Sequence, residues 1–186
     1  GYDVTVLSGD RDLLQLATDH IKIRIPKTKR TGTEIEDYNT KEVIEKYQVT
    51  PIEFIDVKAL MGDTSDNIPG VPGIGEKTAT AIIAQYGSIE NAYAHVDEIR
   101  PPRASRNLKE NYELAQMSKT LATIDIDSPV EISLESCKMN DIYTADALEM
   151  IKKLEFKSMI QRFSDVSVET DFEKNFRKIN NYIEAE

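Results

Sequence analysis

The N-terminal part of the chain has the apolar and polar patterns of β-strands. Residues 4–8 form a short stretch rich in β-branched side chains, and residues 21–25 alternate apolar and polar side chains. Both patterns predict strands, the first of them buried, and residues 13–17 between them predict a short helix. We therefore expect a strand, helix, strand unit at the start of the chain.

From residue 39 onwards the pattern is that of helices with local start and stop signals. Asn39 with Glu42 and Thr50 with Glu53 have the spacing of capping boxes. Further helices are predicted over residues 76–86, ended by Gly87, over 88–99 and 107–121, and after a Thr144 cap, with a loop over 124–129. The sequence predicts a partial α/β core at residues 1–62, a helical part at 63–163 and a linker towards a following domain at 164–186.

From the composition we expect a soluble, globular protein in a reducing compartment. No apolar run approaches a membrane span, the N-terminal residues do not indicate secretion, and the lone Cys137 cannot form an internal disulfide. We therefore expect a cytoplasmic protein with no membrane partner.

The net charge of −10 argues against a polyanionic partner, so local basic clusters would have to bind one. Two clusters contain no acid: Lys22, Arg24, Lys27, Lys29 and Arg30 form one, and Arg100, Arg103, Arg106 and Lys109 form the other. Taken alone, each cluster fits a solvated face as well as a contact with nucleic acid.

Two pairs of aspartates are candidates for a divalent-metal site. Asp10 and Asp12 follow the first predicted strand, and Asp63 and Asp66 lie three residues apart at a predicted helix end. Carboxylates from separate segments suit Mg²⁺, which takes oxygen ligands. The alternatives are a helix cap for Asp10 and turn residues for Asp63 and Asp66.

A glycine-rich stretch follows the second aspartate pair. Residues 69–75 supply glycines for a tight turn between helices, and the next helix begins with free backbone amides that favour an anion. The residues expected to form this turn and contact phosphates, without reading bases, are Gly70, Val71, Gly73, Ile74, Gly75, Lys77 and Thr78. Val71 and Ile74 are expected to point inward, and the alternative is a plain packing corner between two helices.

Residues 6–16 and 59–79 closely resemble the 5′-3′ exonuclease domain of bacterial DNA polymerase I, of the flap endonuclease superfamily. The resemblance implies an incomplete parallel sheet of the PIN/resolvase-like type, followed by a helix-hairpin-helix subdomain of the SAM-like type. It implies a two-metal site for Mg²⁺ or Mn²⁺ that uses Asp10, Asp12, Asp63 and Asp66. It also implies duplex binding by the hairpin, and often K⁺ near it. Separately, we hypothesise that Arg103 and Arg106 of the second basic cluster contact phosphates.

The implied reaction is phosphodiester hydrolysis at a 5′ end or flap, during bacterial DNA replication and repair. The resemblance also implies a location near the nucleoid and a parent chain that carries a polymerase domain. The family's first-strand aspartate, other acids of the first metal and helical arch are not in this sequence, so we expect the fragment alone to be inactive or nearly so. Two alternatives stay open, namely a non-catalytic helix-hairpin-helix DNA-binding module and a flap endonuclease without a polymerase.

Overall fold

The computed structural model describes residues 1–30 and 32–163, which fall into two compact units. The first unit is Gly1–Ser128, and the second begins at Pro129. The boundary predicted after residue 62 lies inside the first unit, and the linker predicted at 164–186 lies outside the described residues. The predicted domain division therefore stays a prediction.

A small mixed sheet lies at the start of the first unit. It consists of β1 (Val4–Leu7), β2 (Ile21–Lys29) and β3 (Gly32–Tyr38), in that order across the sheet. β1 and β2 are parallel, with Val4 opposite Ile21, and a 3₁₀ helix at Arg11–Leu16 connects them. The predicted strand, helix, strand unit is confirmed. β3, which pairs antiparallel with β2, was not predicted.

The prediction that β1 is buried is wrong. The side chains of Val4 and Leu7 remain 43% and 68% exposed. The reason is that, within the part of the chain that the structure describes, β1 is an edge strand that pairs with β2 alone, so its apolar side chains have little to pack against.

Six α-helices complete the first unit. They are α1 (Thr40–Tyr47), α2 (Glu53–Met61), α3 (Glu76–Tyr86), α4 (Ile89–Ala94), α5 (Pro102–Glu110) and α6 (Tyr112–Ala122). The predicted capping at Thr50 is confirmed, because Glu53 Oε2 accepts from Thr50 N at 2.7 Å and Thr50 Oγ1 accepts from Glu53 N at 3.3 Å. α3 ends at Gly87 in the left-handed conformation, as predicted.

The single helix predicted over residues 107–121 is wrong, since α5 and α6 meet at Asn111. The Asn111 backbone leaves the helical region, and its side-chain Nδ2 donates to the Asn107 carbonyl oxygen at 2.8 Å. Asn111 thus satisfies a carbonyl at the end of α5, which is the competition with helical hydrogen bonding that short polar side chains offer.

The core of the first unit is centred on α2. Phe54, Val57 and Leu60 are buried and belong to one apolar cluster that reaches from β2 to α6. α2 packs against both α3 and α6. The end of α2 is therefore held from several sides, and it is there that the second aspartate pair lies.

The described part of the second unit, residues 129–163, begins with a segment that contains neither helix nor strand up to residue 144. α7 (Ala145–Lys153), α8 (Lys157–Ile160) and a 3₁₀ helix (Gln161–Phe163) follow. Thr144 caps α7 as predicted, with its Oγ1 accepting from Ala147 N at 3.2 Å. Across residues 1–30 and 32–163, no helix has the length and apolar character needed to cross a bilayer.

Candidate functional site

Three of the four predicted aspartates come together in the first unit. Asp12, Asp63 and Asp66 each offer a carboxylate oxygen, and these oxygens lie within 4.8 Å of one another. Asp12 lies in the 3₁₀ helix after β1, whereas Asp63 and Asp66 lie in the turn after α2. We call these three residues the carboxylate cluster. Its oxygens are the hard ligands that Mg²⁺ and Mn²⁺ prefer.

Asp10 lies outside the carboxylate cluster. Its Oδ1 accepts from Asp12 N at 2.9 Å, so Asp10 caps the 3₁₀ helix at the end of β1. This is the alternative that the sequence left open for Asp10. Its exposed side chain still lines the same cleft as the cluster, and its role as a metal ligand stays a prediction.

Lys58 is buried between two members of the carboxylate cluster. Its side chain is 5% exposed, its Nζ lies 2.6 Å from Asp12 Oδ1, and it donates to Asp63 Oδ2. The contact with Asp12 lacks the alignment of a hydrogen bond, which leaves this buried oxygen without a hydrogen-bond donor among the described residues. The Lys58 ammonium beside this oxygen shows that the position favours a positive charge, so the cluster fits a divalent metal.

The two carboxylates that contact Lys58 respond differently to their surroundings. Burial raises the pKa of Asp12, an effect that Lys58 opposes and that the nearby charges of Asp10 and Asp63 reinforce. By contrast, hydrogen bonds from Lys58 and then Ser65 hold the pKa of Asp63 well below its usual range. Hydrogen bonding thus favours the charged form of Asp63, whereas burial disfavours the charged form of Asp12.

The carboxylate cluster opens into a cleft of about 380 Å³. Asp63 and Asp66 line it together with Arg11, Lys58 and Glu76. Glu76 is the first residue of α3, so the cleft reaches from the cluster to the start of that helix. A chain-like ligand that lies along the start of α3 would therefore also lie close to Asp63 and Asp66.

The glycine-rich hairpin, residues 69–75, is built as the sequence predicts. Val71 and Ile74 point inward and are 2% and 3% exposed. Gly70 has φ +63°, and a Cβ there would lie 2.4 Å from Gly62 N, so a larger residue cannot fit against the end of α2. The buried Ser118 Oγ of α6 accepts from Gly70 N at 3.1 Å. The hairpin is therefore fixed to both α2 and α6.

The outer side of the hairpin presents backbone amides. None of the described residues accepts from the N–H groups of Gly75, Glu76 or Lys77. Lys77 is exposed beside them, and Thr78 is partly exposed. Free amides at the start of an eleven-residue helix favour an anion such as a phosphate.

α5 covers the other side of the hairpin. Asn107 Nδ2 donates to the Pro72 carbonyl oxygen at 2.7 Å. The Arg103 guanidinium lies close to Gly73, since a Cβ at Gly73 would be 3.5 Å from its Nε. The exposed Arg106 lies on the same helix. Two predicted basic residues are therefore on the helix that supports the hairpin.

The two basic clusters of the sequence have different surroundings. Arg24 Nη2 lies 2.7 Å from Asp37 Oδ2, and Lys27 Nζ lies 2.7 Å from Glu36 Oε1. These acids belong to β3, the strand that the sequence analysis missed, so the first cluster is largely neutralised across the β2–β3 ladder. In the second cluster only Lys109 forms an ion pair with another described residue, at 3.3 Å from Asp97.

Sequence reasoning missed three polar residues that organise the site. Lys58, Gln15 and Ser118 are all buried. Each lies on an otherwise apolar helical face, and a polar residue in such a position is a signal for a buried partner. Each also has a partner far away in the sequence, namely Asp12 for Lys58, Ala122 for Gln15 and Gly70 for Ser118, and these distant partners could not have been named from it.

The hairpin between two helices presents backbone amides outward, and it lies beside a carboxylate cluster that suits a divalent metal. These two features are those of a helix-hairpin-helix protein with an acidic metal site. A family model described as 5′-3′ exonuclease, C-terminal SAM fold, matches residues 49–145, just over half of the chain. The chain belongs to this 5′-3′ exonuclease family.

Curated relatives and solved structures agree with this assignment. DNA polymerase I of Bacillus caldotenax is 44% identical over 171 residues, covering 92% of this chain and 19% of the relative. The same protein of Bacillus subtilis (strain 168) is 40% identical over 180 residues, covering 97% and 20%. The chain thus spans about a fifth of the length of these relatives.

Two solved structures of bacteriophage T5 proteins share the fold. A zinc-bound T5 5′-exonuclease is 30% identical with a TM-score of 0.54, covering 65% of this chain and 43% of that chain. A T5 flap endonuclease in a pseudo-enzyme-product complex with DNA and metal ions is 29% identical, with the same TM-score and coverage. The predicted fold class, an α/β remnant followed by a SAM-like helical part, is confirmed.

Proposed function

We propose that this chain is the part of a 5′ nuclease that binds DNA and part of its catalytic metal. The nuclease hydrolyses phosphodiester bonds near a 5′ end or flap. The observation that carries the proposal is the cleft shared by Asp63, Asp66 and Glu76, because it joins the carboxylate cluster to the start of α3. A strand whose phosphates rest on the amides of Gly75 and Lys77 would pass the carboxylates.

Asp12, Asp63 and Asp66 would hold Mg²⁺ or Mn²⁺, and the exposed Asp10 would reach the same cleft. Bound divalent cations supply Lewis acidity, which lowers the pKa of a coordinated water and neutralises charge on a phosphate. The metal-bound T5 structures support a divalent ion here. The choice of Mg²⁺ or Mn²⁺, and K⁺ at the hairpin, are predictions carried by the family resemblance.

The residues of the chain have the remaining tasks. The amides at the start of α3 and the Lys77 ammonium would bind phosphates of the duplex, and Arg103 and Arg106 would extend that contact along α5. These groups recognise the backbone, so binding should be independent of base sequence. Such contacts fix the register of the DNA relative to the carboxylate cluster.

The parent protein is proposed to be a DNA polymerase I that acts in replication and repair in the bacterial cytoplasm. Identities of about 40% over nearly the whole chain support this parent over a stand-alone flap endonuclease. The described part of the chain brings three carboxylates together. Two-metal hydrolysis needs two ions about 3.5–4 Å apart, which require more ligands than these three. We therefore expect the isolated chain to bind DNA and to cleave it slowly or not at all.

The experiment compares two triple variants that each remove three positive charges. The hairpin variant combines Lys77→Ala, Arg103→Ala and Arg106→Ala, and it removes the positive charges next to the hairpin. The β2 variant combines Lys22→Ala, Lys27→Ala and Lys29→Ala, and it removes positive charges that are paired with acids of β3. Binding of a fluorescent flap duplex is measured by anisotropy at several salt concentrations in Ca²⁺.

The hairpin variant should bind about tenfold or more weakly and show a shallower salt dependence, by about one unit of slope for each phosphate that it no longer neutralises. The β2 variant should bind within about twofold of the unchanged chain. Equal weakening in the two variants would refute the assignment of the DNA-binding surface, because both carry the same net charge.

A further inference from the structure

Lys58 is an unusual residue for a metal centre, because it brings a positive charge into it. It lies on α2, and its ammonium contacts Asp12 and Asp63 from inside the cleft wall. A lysine that is 5% exposed is almost never found without charged partners, since burial of its charge is costly. The two carboxylates supply the compensation.

The same pair of carboxylates also belongs to the cluster proposed to hold the metal. Asp12 and Asp63 have oxygens within 4.8 Å of each other and of Asp66. Without a positive charge between them, these carboxylates would repel one another at short range. Lys58 therefore holds together, in the absence of metal, the oxygens that a metal would need.

A divalent cation and the Lys58 ammonium compete for these oxygens. Nζ lies 2.6 Å from Asp12 Oδ1, which is within the range of direct contact and leaves no space for an ion between the two atoms. Like charges held this close also repel each other strongly in a partly buried site. A metal that coordinates Asp12 through Oδ1 and Asp63 through Oδ2 must push the ammonium away.

We propose that Lys58 is a built-in counter-cation, which keeps Asp12 and Asp63 in place in the metal-free protein and is displaced when a divalent cation binds. This inference rests on the proposed metal site. It makes Lys58 a positioning residue that lowers the affinity for metal while keeping the site assembled. It also gives a basis for selectivity, because a monovalent ion has no charge advantage over the ammonium that it would have to replace.

Lys119 offers a matched control within the same unit. Its Nζ lies 2.8 Å from Asp56 Oδ1 and 3.0 Å from Glu90 Oε2, so it also bridges two carboxylates. Neither of those carboxylates belongs to the cluster. Replacing either lysine by methionine removes one bridging charge and keeps a similar side-chain volume.

Mn²⁺ binding to the 186-residue chain, to Lys58→Met and to Lys119→Met is measured by calorimetry, together with the melting temperature with and without Mn²⁺. Lys58→Met should bind Mn²⁺ about tenfold or more tightly, melt earlier without metal and regain stability with it. Lys119→Met should melt earlier but bind Mn²⁺ as the unchanged chain does. If Lys58→Met binds Mn²⁺ as tightly as the unchanged chain or more weakly, the inference is wrong, but the proposed metal site is not affected. If the unchanged chain does not bind Mn²⁺, the proposed metal site itself is refuted.

A second measurement needs no variant and so does not depend on how Lys58→Met folds. The unchanged chain is acetylated with a water-soluble amine reagent, with and without Mg²⁺, and each lysine is followed by mass spectrometry. Lys58 should react several-fold faster with Mg²⁺ present, while Lys119 should react at the same rate. Equal protection of Lys58 in the two conditions would contradict its displacement.

Discussion

Gln15 Nε2 donates to the Ala122 carbonyl oxygen over 2.9 Å, although the two residues are 107 positions apart in the sequence. The same amide group donates to the Asp12 carbonyl oxygen at 2.9 Å, and its Oε1 accepts from Ile124 N at 2.9 Å. Gln15 thus fastens the segment that carries Asp12 to the end of α6. Since Ser118 of α6 also holds Gly70, one helix sets the positions of both halves of the site.

Gln15→Leu tests the first of these connections. The variant leaves the Ala122 carbonyl and the Ile124 amide without their partner, so it should lower the free energy of unfolding by about 1–3 kcal/mol. Affinity for Mn²⁺ should also fall, because Asp12 loses its support. Urea unfolding and calorimetry measure the two effects.

The matched control is Gln85→Leu, in which the glutamine is exposed on α3. It should change the free energy of unfolding by less than about 0.5 kcal/mol. A Gln15→Leu variant as stable as this control would show that the hydrogen bonds with Ala122 and Ile124 do not stabilise the fold.

Two glycines of the hairpin should lose different amounts of stability when replaced by alanine. Gly70→Ala places a methyl group against the backbone of Gly62 at φ +63°, so it should cost at least about 2 kcal/mol of stability. Gly75 has φ −97°, with no atom within 4 Å of an added Cβ, so Gly75→Ala should cost less than about 1 kcal/mol.

The effect on DNA should reverse this order once folding is accounted for. The Gly75 methyl group occupies the open space that a phosphate would approach, so folded Gly75→Ala should bind the flap duplex several-fold more weakly. Anisotropy titrations on protein shown to be folded by circular dichroism provide the measurement. Unchanged DNA affinity in Gly75→Ala would argue against phosphate contact at the start of α3.

The acid stability of the sheet should depend on Glu36. Hydrogen bonds from Lys27 first, then Tyr38 and Lys46, lower the pKa of Glu36 from 4.5 to about 2. Because the folded-state pKa lies below the unfolded one, this stabilisation is fully present above about pH 4.5 and is lost as the pH falls towards 2. Glu36→Gln should therefore lower the melting temperature at pH 7, and the difference should shrink as the pH falls towards 2.

Glu45→Gln serves as the control for Glu36. Its carboxylate is 63% exposed and lies 3.7 Å from Lys41 on the same helix, a contact of little energetic weight. Melts of both variants between pH 2 and 7 should show a pH-dependent difference for Glu36→Gln alone. A constant difference across this range would mean that the carboxylate charge is not what stabilises the sheet.

The features that the sequence predicts well are the local ones. Thr50 with Glu53, Gly87 and Thr144 mark helix ends because the backbone groups that they satisfy lie within a few residues of them. The hairpin is predictable for the same reason, since its glycines and its inward Val71 and Ile74 are contiguous in the sequence.

The features that escape sequence reasoning depend on distant partners. The basic cluster on β2 has no acid among its own residues, and only β3 brings Asp37 and Glu36 beside it. The exposure of β1 depends on what lies next to the edge of the sheet, and the break at Asn111 comes without a glycine or proline. The place of Lys58 on an apolar helical face signals a buried partner, but its role follows only from the meeting of Asp12 with Asp63.

The central claim is that Asp12, Asp63 and Asp66 jointly hold a divalent metal beside the hairpin. The most direct measurement is the anomalous difference density of Mn²⁺ in crystals of the chain soaked in MnCl₂. We predict a peak at coordination distance, about 2.0–2.3 Å, from oxygens of these three aspartates, with the Lys58 ammonium moved away from Asp12. Saturating Mn²⁺ that leaves this position empty, with Lys58 still between Asp12 and Asp63, would contradict the claim.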